Sequence, residues 1–175
     1  MYLPTNFLIR ASQISEKKKV KERPEIGQFF GFDHVTFWVG NAKQAAAYYC
    51  THLGFDYLAY SGPETGIKDF ASHAISNGHV IFVFQSAVSP EAPPEYLDFI
   101  AKHGDGVRNL AFKVDDVRSI FDKAIQRGAK ALLEPVVPED STAPIFATIQ
   151  SPGALTLTFV QRPEVNDGVF LPGYV

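Results

Sequence analysis

Two stretches of this chain repeat one pattern. DHVTFWVGNAKQAAAYYCTHLGF, from Asp33 to Phe55, and RNLAFKVDDVRSIFDKAIQRGAK, from Arg108 to Lys130, keep a strand, a helix start and a closing glycine in register with one single-residue gap. The first copy reads as a strand over Asp33 to Val39 and a helix from Ala42 to Leu53, with Asn41 as its N-cap and Gly54 as its stop. Strands follow over Phe55 to Tyr60, Asp69 to Ile75 and His79 to Gln85, the last two joined at Ser76-Asn77-Gly78, the strongest short-range hairpin signal in the chain. After a connector rich in proline (Pro90, Pro93, Pro94) and a short helix around Tyr96 to Lys102, the same order returns. Val107 to Val114 is a strand, and Asp115-Asp116 open a helix whose Val117, Ile120, Phe121, Ala124 and Ile125 form an apolar stripe stopped by Gly128. Ala131 to Val137, Ile145 to Gln150 and Leu155 to Gln161 complete it, with a turn at Ser151-Pro152-Gly153.

Three strands in succession joined by short turns exclude a doubly wound parallel sheet, which needs a helix between each pair of parallel strands. The expected fold is α+β: two βαβββ modules, about 31–88 and 94–162, forming one curved mixed sheet with the helices on its outer face. Residues 1–28, with Lys17, Lys18, Lys19, Lys21 and Arg23 close together and a net charge of +3, read as a mobile arm ahead of a single domain over 29–175, whose last stretch, 163–175, is a tail. Three glutamates in the arm argue against a targeting presequence.

Composition limits the partners. A formal charge of −3 and the lack of a recurring basic helix argue against nucleic acid, and no apolar run approaches the about 18 residues of a membrane span. The single Cys50 points to a reducing, cytoplasmic compartment.

Strand alternation assigns each residue a face. Val35, Phe37 and Val39 are expected to meet the first helix, leaving His34, Thr36 and Trp38 in the cup; Leu110, Phe112 and Val114 meet the second, leaving Asn109, Ala111 and Lys113. In the last strand Leu155, Leu157 and Phe159 face the helices, and Thr156, Thr158 and Val160 the cup. Rigid strands lining a cup are where a metal site is built.

Several blocks together carry a resemblance: FDHVTFWVGNAKQAAAYYCTHLGF, SGPETGIKDFASHAISNG, HGDGVRNLAFKVDDV, RGAKALLEP and FLPGY. Over residues 26–175 the chain resembles the N-terminal domain of the animal-type 4-hydroxyphenylpyruvate dioxygenases, in the vicinal oxygen chelate superfamily, whose fold is glyoxalase-like. The resemblance implies a parent enzyme with two such domains. Its chemistry is the Fe(II)- and O2-dependent conversion of 4-hydroxyphenylpyruvate to homogentisate and CO2 in tyrosine and phenylalanine breakdown. It also implies that the iron is held by two histidines and a glutamate of the C-terminal domain, and that FLPGY leads into that domain.

By internal correspondence the three ligand positions fall here at His34, Asn109 and Thr158, of which only the first is a ligand type. The expectation is therefore no catalytic residue, no iron and no turnover in this chain. Its expected partners are the C-terminal catalytic domain or a second copy of itself, in a homodimer. Two other readings remain open: a stand-alone binding module or truncated regulatory isoform holding a small aromatic acid, and an independent metal enzyme of glyoxalase or extradiol type, for which His79 to Gln85 offers no inward carboxylate. A domain that abuts another should leave a large apolar patch.

The remaining chemistry-bearing residues have plainer explanations. His73 and His79 flank a hairpin and read as surface groups that can approach each other. His103-Gly104-Asp105-Gly106 needs only glycine's backbone freedom. Asp115-Asp116 fit helix capping, and Cys50 fits a packed small residue. GxGxxG, GxxxxGK[ST], GxSxG and HExxH do not occur.

Overall fold

The computed structural model describes residues 26–137, 143–164 and 170–175. The arm expected over 1–28 lies outside them except for its last three residues.

In chain order the elements are β1 (Phe29–Trp38), α1 (Ala42–Leu53), β2 (Asp56–Ser61), β3 (Phe70–Asn77), β4 (Val80–Ala87), α2 (Pro94–His103), β5 (Gly106–Val114), α3 (Val117–Gln126), β6 (Ala131–Val136), β7 (Ile145–Gln150) and β8 (Thr156–Gln161). The strands form one eight-stranded mixed sheet in the order β2-β3-β4-β1-β5-β8-β7-β6. The sequence duplication is a structural one: β1 pairs β4 in parallel, β5 pairs β8 in parallel, and the hairpins lie outside them. The two modules meet where β1 and β5 run antiparallel, from Phe29 opposite Val114 to Trp38 opposite Gly106.

Local chemistry accounts for the helix ends. Asn41 Oδ1 accepts from the Gln44 N–H at 3.0 Å and Asp116 Oδ1 from the Ser119 N–H at 3.0 Å, each satisfying a donor the first turn leaves open. Gly54 stops α1 at φ 69°, a left-handed conformation that costs glycine nothing.

α1 and α3 each cover one module, and α2 packs Tyr96 and Phe99 on Trp38 of β1. Ala42 and Ala46 of α1 pack on Val39, Ile75 and Phe84, while Val117, Ile120 and Phe121 of α3 pack on Val114, Ala147 and Phe159. Phe37, Val39, Phe112, Val114, Leu157 and Phe159 thus face the helices as alternation predicts. Two expectations change. Ile125, the last residue of the stripe, is exposed in the final turn of α3, one residue before the helix ends at Gln126. β1 begins at Phe29, four residues earlier than its alternation indicated, because register shifts between Phe29 and Gly31 and between Phe32 and His34 break the period.

Ile75, buried on both its helix and strand sides, should lose about 2 to 4 kcal/mol on Ile75→Ala, and the exposed Ile125→Ala under about 1 kcal/mol, in urea unfolding.

Candidate functional site

The concave face of module 1 is filled by the chain's own tail. Phe170 packs on Ala74 and Val83, with Leu171 and Tyr174 beside it. Val175 and Tyr60 exchange two backbone hydrogen bonds of 2.8 Å each, which adds the terminal residue to the β2 edge. Burial raises the Tyr174 hydroxyl above its ordinary pKa, and Ser72 hydrogen-bonds to it. Ser72 Oγ in turn accepts from Gln85 Nε2 at 3.0 Å, and Gln85 Oε1 accepts from the Trp38 indole N–H at 2.7 Å. A polar chain thus runs from the tail to the centre of the sheet.

A buried charge anchors this arrangement. The bulge in β1 turns both Asp33 and His34 inward, where they are 7% and 5% exposed. Arg162, just after β8, donates from Nε to Asp33 Oδ2 at 2.7 Å and from Nη2 to Oδ1 at 2.8 Å, a bidentate fork. Its Nη1 donates to the Phe170 carbonyl at 2.8 Å, and the Phe170 ring lies edge-on to His34 with centroids 5.4 Å apart. His34 Nδ1 donates to Asp33 Oδ1 at 2.8 Å. Burial alone would raise the Asp33 carboxyl, but the hydrogen bonds from His34 and Arg162 and the guanidinium charge outweigh it and hold the pKa at about 2.

On module 2, Asn109 Oδ1 accepts from the hydroxyls of Thr156 and Thr158 at 2.9 and 3.0 Å, and Thr158 Oγ1 lies 2.9 Å from Thr148 Oγ1. Of the three ligand-equivalent positions the structure joins Asn109 to Thr158 directly. His34 stands opposite Ala111, which stands opposite Thr158, so it shares Thr158's row but bonds to Asp33, while Asn109 lies in the next row, opposite Thr36 and Thr156.

Ferrous iron in an oxygenase takes two imidazoles and a carboxylate and keeps positions open. This set does not fit it. It offers one imidazole, an amide oxygen already accepting two hydroxyl protons, and a neutral hydroxyl; Asp33, the carboxylate beside His34, is neutralised by Arg162. Among the described residues no three His, Cys, Asp or Glu are grouped to hold a metal ion.

The other singled-out residues have structural partners. His73 sits opposite Phe84, four residues before the hairpin turn, so it does not meet His79; it is half-buried against Tyr60, centroids 5.0 Å apart, contrary to the surface role expected. Burial and then Lys43 lower its pKa. Asp105 Oδ1 accepts from the Gly40 N–H at 2.7 Å, tying the β1–α1 turn to module 2, and Asp115 Oδ1 accepts from the Gln28 N–H at 2.6 Å. Cys50 packs in the α1 core, where burial and then Asp56 raise its pKa, the reverse of an activated thiol.

The comparisons with known proteins now bear on this geometry. Residues 31–159, spanning β1 to β8, match the model of the Glyoxalase/Bleomycin resistance protein/Dioxygenase superfamily. The chain belongs to that superfamily. It is 47% identical over 154 residues to the 4-hydroxyphenylpyruvate dioxygenase of Danio rerio, covering 87% of this chain and 38% of that protein. With the 4-hydroxyphenylpyruvate dioxygenase of Dictyostelium discoideum it shares 48% identity over 146 residues, 82% of this chain and 39% of the relative. The chain therefore spans about two fifths of the curated relatives it matches. Among solved structures, a variant of 4-hydroxymandelate synthase from Streptomyces coelicolor superposes with a TM-score of 0.66 at 31% identity, over 78% of this chain and 39% of that one. Methylmalonyl-CoA epimerase from Mycobacterium tuberculosis, at TM-score 0.61 and 18% identity over 78% of this chain and 90% of that one, shares the superfamily fold.

Because the Asp33 carboxyl is depressed below its ordinary value, its contribution to stability is complete above about pH 4 and is lost as pH falls toward 2, about 2 kcal/mol in all. Asp33→Asn should unfold about 2 to 4 kcal/mol more easily at pH 7, with the two stability curves converging near pH 2 in urea titrations. Parallel curves would refute the assignment.

Proposed function

We propose that this chain is the iron-free, N-terminal half of a 4-hydroxyphenylpyruvate dioxygenase-like protein, serving structure and assembly while a second domain performs the chemistry. The observation that carries this reading is the engagement of all three ligand-equivalent positions, His34 with Asp33 and Asn109 with Thr158. Identity of 47% to a dioxygenase of which the chain covers 38% supports it as well. In this reading the parent protein uses Fe(II) to convert 4-hydroxyphenylpyruvate and O2 to homogentisate and CO2, in the tyrosine catabolism of the cytoplasm.

The partner is the C-terminal catalytic domain or a second copy of the chain in a homodimer. Exposed aromatic side chains favour such packing. Phe29, Phe30 and Phe32 of β1 are 51%, 61% and 62% exposed, and Leu132 and Leu133 of β6 are exposed too, an unusual load of large apolar groups on strands. Among the described residues no helix is long and apolar enough to cross a membrane.

Oxygen uptake by the purified chain with ferrous iron, ascorbate and 4-hydroxyphenylpyruvate, run beside a full-length relative, tests the catalytic part. The expected result is no uptake and no homogentisate. Stoichiometric homogentisate would overturn the reading. The assembly part predicts that Phe30→Ser reduces self-association in sedimentation while leaving the melting temperature within a few degrees, since that ring is exposed.

A further inference from the structure

Between α2 and the strands of module 2 lies a groove of about 530 Å3, within the roughly 300 to 1,000 Å3 range of small-molecule sites. Phe99, Leu132 and Leu155 give it apolar walls; Lys102, His103 and Lys130 stand around it, and Asp98, one turn from Lys102, pairs loosely with that lysine at 3.9 Å. At its inner end is Arg108.

Arg108 is held as a binding arginine would be. Its side chain is 12% exposed, and its guanidinium carbon lies 4.5 Å from the centroid of the Trp38 ring, a cation–π contact that fixes the plane of the fork. Trp38 is itself immobilised by Gln85 and by edge contacts with Tyr96 and Phe99. Nη1 donates to the Ala154 carbonyl and Nη2 to Glu95 Oε1. Glu95 differs from its partner in every respect that matters: it projects from the first turn of α2 and its side chain is 70% exposed. A buried, rigid guanidinium is thus neutralised by a carboxylate standing mostly in water.

We propose that this groove binds a small organic carboxylate with a flat apolar body, whose carboxylate displaces Glu95 from Arg108. The exchange replaces one carboxylate by another at Nη2 while Nη1 stays on the Ala154 carbonyl, so charge balance and hydrogen bonds at the buried cation are preserved. The released Glu95 returns to solvent, where an exposed ion pair loses little. The apolar body then covers Leu132 and Leu155, which the chain leaves lining an open groove. Glu95 is in this account an internal competitor for the ligand. The site is separate from His34, Asn109 and Thr158.

Trp38 is the chain's single tryptophan, so its fluorescence reports on Arg108 directly. Phenylacetate is expected to produce a saturable change, 2-phenylethanol none, and inorganic phosphate a response at least about tenfold weaker. Arg108→Lys keeps the charge but loses the fork, and should weaken phenylacetate about tenfold. Glu95→Gln removes the competitor and should tighten it about threefold to tenfold. A merely structural ion pair would move the last variant the other way or not at all. The proposal is overturned by phenylacetate giving no saturable change below about 20 mM, by phosphate binding as well as phenylacetate, or by Glu95→Gln leaving affinity unchanged or lower. Thermal melts of both variants identify any change due to folding.

Discussion

The β1–β5 ladder is the constraint on which everything else rests. A βαβββ unit buries one face of a short sheet under one helix and leaves its first strand with an open edge beside a parallel neighbour. Antiparallel pairing of β1 with β5 closes both edges at once and turns two marginal units into one sheet of eight strands. It also places the middle of the concave surface on the two strands whose residues correspond by duplication. Side chains there stand on strands paired on both sides.

The same central strands tie up the polar groups of the concave face. One cup residue is an imidazole, but its neighbouring carboxylate is locked to Arg162, and Arg162 grips the carbonyl of a phenylalanine whose ring closes over the imidazole. On the other module the equivalent positions carry an amide and a hydroxyl that satisfy each other. Polar groups left inside a sheet must find partners. Here they have found one another, and the concavity of module 1 has become a core.

Much of the fold was legible because it rests on local signals. Alternation in Asp33 to Val39 and Val107 to Val114, the Asn77-Gly78 turn, and caps at Asn41 and Asp116 each state a structure within a few residues. The start of β1 was not legible, because two irregularities in six residues erase the period of two on which strand reading depends. Docking of the tail was invisible too: FLPGY has no period, and its contacts are about 100 residues away in sequence, on β3 and β4. Asp33 left a usable trace. An acid inside an apolar strand needs a cation, and Arg162, just past the last strand, was a candidate for that role. The pairing of Arg108 with Trp38, by contrast, could not be read, since it joins the end of one module's first strand to the start of the other's.

The two hydrogen bonds between Tyr60 and Val175 have a colloidal consequence. An open sheet of this length has two outer strands whose free amides and carbonyls are templates for another molecule's backbone. At β2 Val175 takes part of that template, and at the opposite edge β6 carries Pro135, which has no amide hydrogen to offer. Both outer strands are thereby made poorer templates for edge-to-edge stacking, in a protein that exposes several phenylalanines next to its central seam.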